Sequence, residues 1–173
     1  MINNGKDFIV LDIETTGFSP LTEEIIEIAA VKVCGKTLEV LDTFELLVES
    51  NKNIPPFITN LTGITNRMVQ ESGIEIEIAL TMLSKFSKDL NVFAHYSPFD
   101  KGFIRENLKK HSIDFETSEW FDTIDLFKAK WPGRKTYKLE SLIVDFNLAS
   151  KEDHRALSDT MHTLKLMKIT REN

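Results

Sequence analysis

The stretch Ile9-Val10-Leu11-Asp12-Ile13-Glu14-Thr15-Thr16-Gly17 sets two acids into an otherwise apolar run. Read as a strand, it turns Asp12 and Glu14 to one face and Leu11 and Ile13 to the other. Two carboxylates a few ångströms apart repel, and burying either one unpaired is costly. A cation between them removes both penalties, and oxygen-only ligands suit a hard divalent ion. A short edge strand with one wetted face would carry the same pattern, so Asp-x-Glu alone leaves both readings open. Asp100 stands at capping-box spacing from Ser97. It also falls in the first turn of a helix that follows a strand, where α/β proteins place ligand sites. Asp159 sits mid-helix, with Ala156 and Thr163 about one turn to either side. Aspartate is a mediocre helix former, so a solvated surface position and a functional one compete there. His154 precedes Asp159 by five positions, roughly 140° around an ideal helix, which places it in the segment leading into that helix. With an ordinary pKa of about 6.5, such a histidine can take a proton from water at neutral pH. His95, His111 and His162 read as structural or solvated.

These residues need elements to hold them. Phe8 to Asp12 predicts a first strand, Ile25 to Val33 a second and Thr37 to Val48 a third, with turn residues at Gly17-Phe18-Ser19-Pro20 and Gly35-Lys36. Short turns between successive strands argue for antiparallel pairing. Asn51 to Pro56 reads as a polar, proline-broken loop, and Thr65 as the cap of a short helical piece after Leu61-Thr62-Gly63-Ile64. Ile76, Ala79, Leu80, Leu83, Phe86 and Leu90 recur at helical spacing. A short strand at Asn91 to His95 precedes a helix from Ser97 to about Lys110, with Ser97 as cap and Pro98 in its first turn. A strand at Trp120 to Thr123 and helices at Asp125 to Lys130, Leu139 to Asp145 and Asp153 to Met167 complete the chain. Strands first, then helices alternating with short strands, predict an α/β fold: a central mixed β-sheet, antiparallel at its N-terminal side and flanked by helices.

Composition bounds the rest. At 173 residues, 42% apolar and 28% charged, the chain predicts one globular domain spanning residues 1–173. A net charge of −6 advertises no basic field for nucleic acid, yet a metal-filled acidic site inverts its own local potential. The single cysteine, Cys34, rules out an internal disulfide and fits a reducing compartment. Neither a membrane span nor a signal peptide is recognisable, so a cytoplasmic location is expected.

Taken together, Asp12-x-Glu14 on a strand, Phe99-Asp100 opening a helix and His154-x-x-x-x-Asp159 near the C-terminus resemble the three motifs of the DEDDh-type 3′–5′ exonucleases. The likeness is greatest to the proofreading exonuclease domain of bacterial DNA polymerase III, with ribonuclease T-like enzymes in the same family. Ile25-Ile26-Glu27-Ile28-Ala29, Leu61-Thr62-Gly63-Ile64-Thr65 and Asp122-Thr123 extend it from about Phe8 to Ile169. The resemblance implies a ribonuclease H-like fold and a phosphodiester hydrolase acting on single-stranded 3′ ends, DNA favoured over RNA. It implies that Asp12, Glu14, Asp100 and Asp159 hold two Mg²⁺ or Mn²⁺ ions, and that His154 is the general base. Thr15 would face the terminal 3′-hydroxyl, while Leu61 and Ile64 would pack against the last bases. The family often has asparagine after the histidine of its second motif. Here that place is Tyr96, which can stack on a base, and Phe99 can pack under a nucleotide. A DNA polymerase is the implied partner; RNA trimming and a catalytically quiet binding module of the same fold are the rival functions. The basic run Lys128 to Lys135 reads as a solvated turn outside the site.

Overall fold

The computed structural model describes residues 2–115, 117 and 119–172. Five strands form one sheet: β1 (Phe8–Thr15), β2 (Ile25–Val33), β3 (Val40–Leu47), β4 (Asn91–Ala94) and β5 (Trp120–Asp122). Their order is β3-β2-β1-β4-β5. The first three pair antiparallel, while β4 pairs parallel to β1, and β5 parallel to β4. Parallel neighbours require crossovers, and the helices supply them. They are α1 (Pro56–Thr62), α2 (Asn66–Ser72), α3 (Ile76–Ser87), α4 (Ser97–His111), α5 (Thr123–Lys130), α6 (Leu139–Asp145) and α7 (Ala156–Glu172).

Strand alternation divides the apolar interior between the two faces of the sheet. Phe8 and Val10 of β1 pack with Phe127, Leu142, Ile143 and Met167 from α5, α6 and α7. Ile9, Leu11 and Ile13 pack with Leu80, Leu83, Phe103 and Ile104 from α3 and α4. With both faces covered, β1 and β2 read as near-continuous apolar runs, the pattern of a doubly buried sheet. A third cluster, Ile26, Ile54, Ile58, Ile64 and Val69, seats α1 and α2 beside β2.

The expected mixed sheet is present, and β2 and α6 keep the bounds read from the sequence. Several local features differ, β3 among them, which starts at Val40 rather than Thr37. α1 begins at Pro56, the last residue of the expected loop, and precedes the helical piece expected after Leu61-Thr62-Gly63-Ile64: Pro56 sits at its start, where a missing N–H costs nothing, and Gly63 closes it at φ 74. Ser97 is not a cap; Tyr96 holds that place in a left-handed conformation, φ 63 and ψ 52, with no capping side chain. The last helix starts at Ala156, three residues later than expected. Thr65 does cap α2, its hydroxyl accepting from the Met68 N–H at 3.2 Å.

Candidate active site

Asp12 and Glu14 follow Phe8 and Val10 on the face of β1 that α7 covers, and both remain half-buried. A bulge between Glu14 and Thr15 ends the regular ladder there. On α7, Asp159, His162, Thr163 and Leu166 form one buried stripe at helical spacing. Asp159 is therefore turned toward the sheet, which removes the surface reading of this residue. Carboxylate oxygens of Asp12, Glu14 and Asp159 lie within 4.8 Å of one another.

Asp100 arrives from the opposite side. β4 pairs with β1 only as far as Val10, so the edge of β1 beyond it is open. The buried Asp100 carboxylate takes that edge over, its Oδ1 accepting from the Ile13 N–H at 3.2 Å. Ile13 lies between Asp12 and Glu14, so this bond ties the start of α4 to the two-acid strand. Asp100 thus reaches across to β1, while its carboxylate also accepts from its own backbone N–H in the first turn of α4.

Burial with few counter-charges raises these acids. Desolvation drives Asp12 well above the usual carboxylate range, with Asp100, Glu14 and Asp159 adding repulsion. Glu14 is pushed up to about 9 by burial and then by Asp159 and Glu27. Asp100 reaches about 8, chiefly through burial. Asp159 also reaches about 8, through burial and then the neighbouring Glu152. Asp159 Oδ1 is buried without a hydrogen-bond partner among the described residues. Clustered, oxygen-only and short of positive charge, this donor set fits a hard divalent cation.

His154 lies just before α7 with φ 50, half-buried, and its Nδ1 is 3.7 Å from Glu152 Oε1. Ligand atoms of Glu152, His154 and Asp159 lie within 4.8 Å of one another. Glu152 escaped the sequence analysis: it sits in the polar run Ser150-Lys151-Glu152-Asp153, where nothing sets one acid apart from its neighbour. Glu27 was also passed over as a site residue, though a lone acid in Ile25-Ile26-Glu27-Ile28 repeats the Asp12 signal.

The expected substrate contacts fall differently. Leu61 and Tyr96 are 47% and 59% exposed, open to a ligand. Ile64 is fully buried in the third cluster and presents no surface to a base, which corrects that expectation. Thr15 is buried and its hydroxyl donates to the Gly17 carbonyl at 2.6 Å. Phe99 packs on Phe103 with ring centroids 5.0 Å apart. Trp131, inside the basic run, packs on Phe146 at 4.3 Å and offers no free face there. His95 is a structural residue: its ring contacts Thr123 Oγ1 at 2.9 Å and the Tyr137 carbonyl at 2.8 Å, and burial lowers its pKa.

The sequence model of the RNase_T family, described as Exonuclease, matches residues 9–167. The DNA polymerase III PolC-type of Caldanaerobacter subterraneus subsp. tengcongensis is 38% identical over 160 residues, covering 92% of this chain and 11% of that protein. The 3′-5′ exonuclease DinG of Bacillus subtilis is 36% identical over 157 residues, covering 90% of this chain and 16% of that protein. This chain thus spans only a small part of the length of the curated relatives it matches. Among solved structures, E. coli exonuclease I in complex with a dA16 oligonucleotide superposes with a TM-score of 0.82 at 19% identity, covering 97% of this chain and 41% of that one. Exonuclease I from Methylocaldum szegediense gives 0.82 at 22%, over 96% and 40%. The fold is the ribonuclease H-like fold that the motifs implied. With its motifs gathered on that fold and the family match running through nearly the whole chain, this chain belongs to the exonuclease family and carries a 3′–5′ exonuclease domain of the DEDDh type.

Proposed function

We propose that this protein removes nucleoside 5′-monophosphates from the 3′ ends of single-stranded DNA, using one domain that spans residues 1–173. Asp12, Glu14, Asp100 and Asp159 would hold two divalent ions, Mg²⁺ or Mn²⁺. Such ions stabilise the charge that develops on the attacking and leaving oxygens of an in-line displacement. His154 takes the proton from the attacking water, through the ring nitrogen that does not face Glu152. Glu152 then sits beside the imidazolium that forms. Leu61 and Tyr96, both exposed, are the side chains available to the last bases. Thr15, which is buried, would contribute backbone contacts, while Phe99, half-buried against Phe103, would pack under a nucleotide with the part of its ring that stays open.

The observation that carries this reading is the convergence of the Asp12, Glu14 and Asp159 oxygens, with Asp159 Oδ1 buried and without a hydrogen-bond partner among the described residues, His162 Nδ1 standing 4.0 Å away. DNA ranks above RNA because the relatives are DNA polymerase III PolC-type proteins and a 3′-5′ exonuclease, and because a structural neighbour holds a dA16 oligonucleotide. The same relatives make a DNA polymerase the natural partner, with proofreading or repair as the task. Among the described residues no helix is long and apolar enough to cross a membrane. A cytoplasmic location goes with this reading.

The test is Mg²⁺-dependent release of mononucleotides from matched 3′-labelled DNA and RNA single strands. Release from DNA that is abolished in Asp12→Ala is the expected result. Full activity in that variant would end the proposal, faster trimming of RNA would redirect it to RNA, and tight binding without cleavage would leave a binding module.

A further inference from the structure

Glu27 is a carboxylate without a place in the chemistry above, yet it is 1% exposed beside the site. It stands opposite Glu14 in the β1–β2 register, so the two side chains share a face. Like charges facing each other across a ladder are destabilising, and an unpaired buried carboxylate more so. The fold answers this with a residue 128 positions away. Arg155 Nε donates to Glu27 Oε1 at 3.0 Å and Oε2 at 3.1 Å, and Arg155 Nη2 donates to Oε1 as well. The Ala156 N–H donates to Oε2 at 2.9 Å. One carboxylate thus accepts a forked guanidinium and the first free amide of α7, a position where negative charge also meets the helix dipole.

The two residues it grips lie directly after His154. His154 itself holds a left-handed backbone, φ 50, which is unfavourable for a side chain of its size and persists only where its surroundings fix it. One turn further on, the Asp159 N–H bonds the Arg155 carbonyl at 3.0 Å, so the clamp is continuous with the turn that presents Asp159.

We infer that the Glu27–Arg155 pair is a positioning device: it fastens the His154 segment to β2 and so sets the His154 ring against the acids on β1. The inference rests on the reading of His154 as the general base. Neither residue needs to touch the substrate for this. Displacement of a base by about an ångström can cost about 10²-fold in rate.

Two variants test it against His154→Ala. Glu27→Gln keeps shape and removes charge, while Arg155→Lys keeps charge and replaces the fork by one donor. The expected result for Glu27→Gln is a kcat lower by about 10²-fold with KM for a 3′-labelled DNA strand nearly unchanged. Arg155→Lys should fall between Glu27→Gln and wild type. Glu27→Gln placed in the His154→Ala background should cost nothing further, because both changes disable one device. NMR of the metal-free protein supplies a readout independent of turnover: the His154 ring signals should shift or broaden in Glu27→Gln. Wild-type kcat in both single variants, a full additional loss in the double variant, or unmoved His154 signals would each overturn the inference. If Glu27→Gln proves unfolded in thermal melts, Arg155→Lys carries the same three readouts. Failure of the base assignment would look different, since His154→Ala would then keep its rate.

Discussion

His154 and Asp159 are separated by one helical turn and a change of backbone conformation, and that separation suits them to the different duties proposed for them. Asp159 is buried on the α7 stripe and fixed by the helix, a setting that suits a metal ligand. His154 is half-buried outside the helix, with Glu152 at its Nδ1, a setting that suits a proton acceptor. Replacing His154 with alanine should lower kcat by about 10²- to 10⁴-fold. Mn²⁺ affinity measured by calorimetry should hold near wild type, and an unchanged turnover would remove His154 from the mechanism. Leu61 and Ile64 make a second pair with separate duties. Ile64→Ala should cost about 2–5 kcal/mol in denaturant unfolding, because it empties a packed site. Leu61→Ala should stay within about 0.5 kcal/mol while raising KM for the strand. The motif residues were readable through their ordered pattern, since each alone also fits a plain structural place: a wetted strand face for Asp12 and Glu14, a cap for Asp100, a solvated helix position for Asp159. The difference between Leu61 and Ile64 was not, since the cluster that buries Ile64 is completed by Ile26 on β2 and Val69 on α2.

At the level of elements, the site forms where β1 outruns β4. The uncovered edge gives Asp100 its bond to the Ile13 N–H, and the bend from β4 into α4 turns at Tyr96. Tyrosine has no means of lowering the cost of a left-handed backbone, whereas asparagine visits that region more readily. Tyr96→Asn should therefore raise stability by up to about 1 kcal/mol, measured by urea unfolding, provided the Tyr96 N–H keeps its bond to Asp122 Oδ1. A loss of stability instead would mean that the ring contributes more than the backbone costs. This turn also marks where sequence reading stops. Apolar periodicity sufficed for β2, α3 and α6, and turn chemistry for the Thr65 cap. Ser97-Pro98 carries a standard start signal, but the chain must swing sharply to bring Asp100 over β1, and the start shifts by one residue. The Glu27–Arg155 pair was hidden for a related reason: periodicity marks Glu27 as odd, and only the folded chain says which distant residue answers it.

For the molecule as a whole, the acid site implies a trade between stability and metal binding that can be measured as a function of pH. Asp100 and Asp159 near 8 and Glu14 near 9 compare with values of about 4 in an unfolded chain. Between those limits the metal-free native state holds more protons than the unfolded state. Stability must then fall as pH rises, the decline starting near the unfolded value and ending near the folded one. Thermal melts of chelator-treated protein should show a falling Tm from about pH 6 to pH 8. A divalent ion binds the deprotonated acids and stabilises only the folded chain, in proportion to the logarithm of its concentration over Kd. Its apparent affinity rises with pH, so the Tm gained on adding Mg²⁺ should widen across the same window in which the metal-free protein weakens. Asp159→Asn removes one of the competing charges. It should raise the Tm of the metal-free protein at the upper end of that window, shrink the Mg²⁺ gain and abolish turnover. A metal-free Tm that stays level with pH, or a Mg²⁺ gain indifferent to it, would show that the acids are neutralised by the protein itself. The site would then have no need of cations to hold its charge.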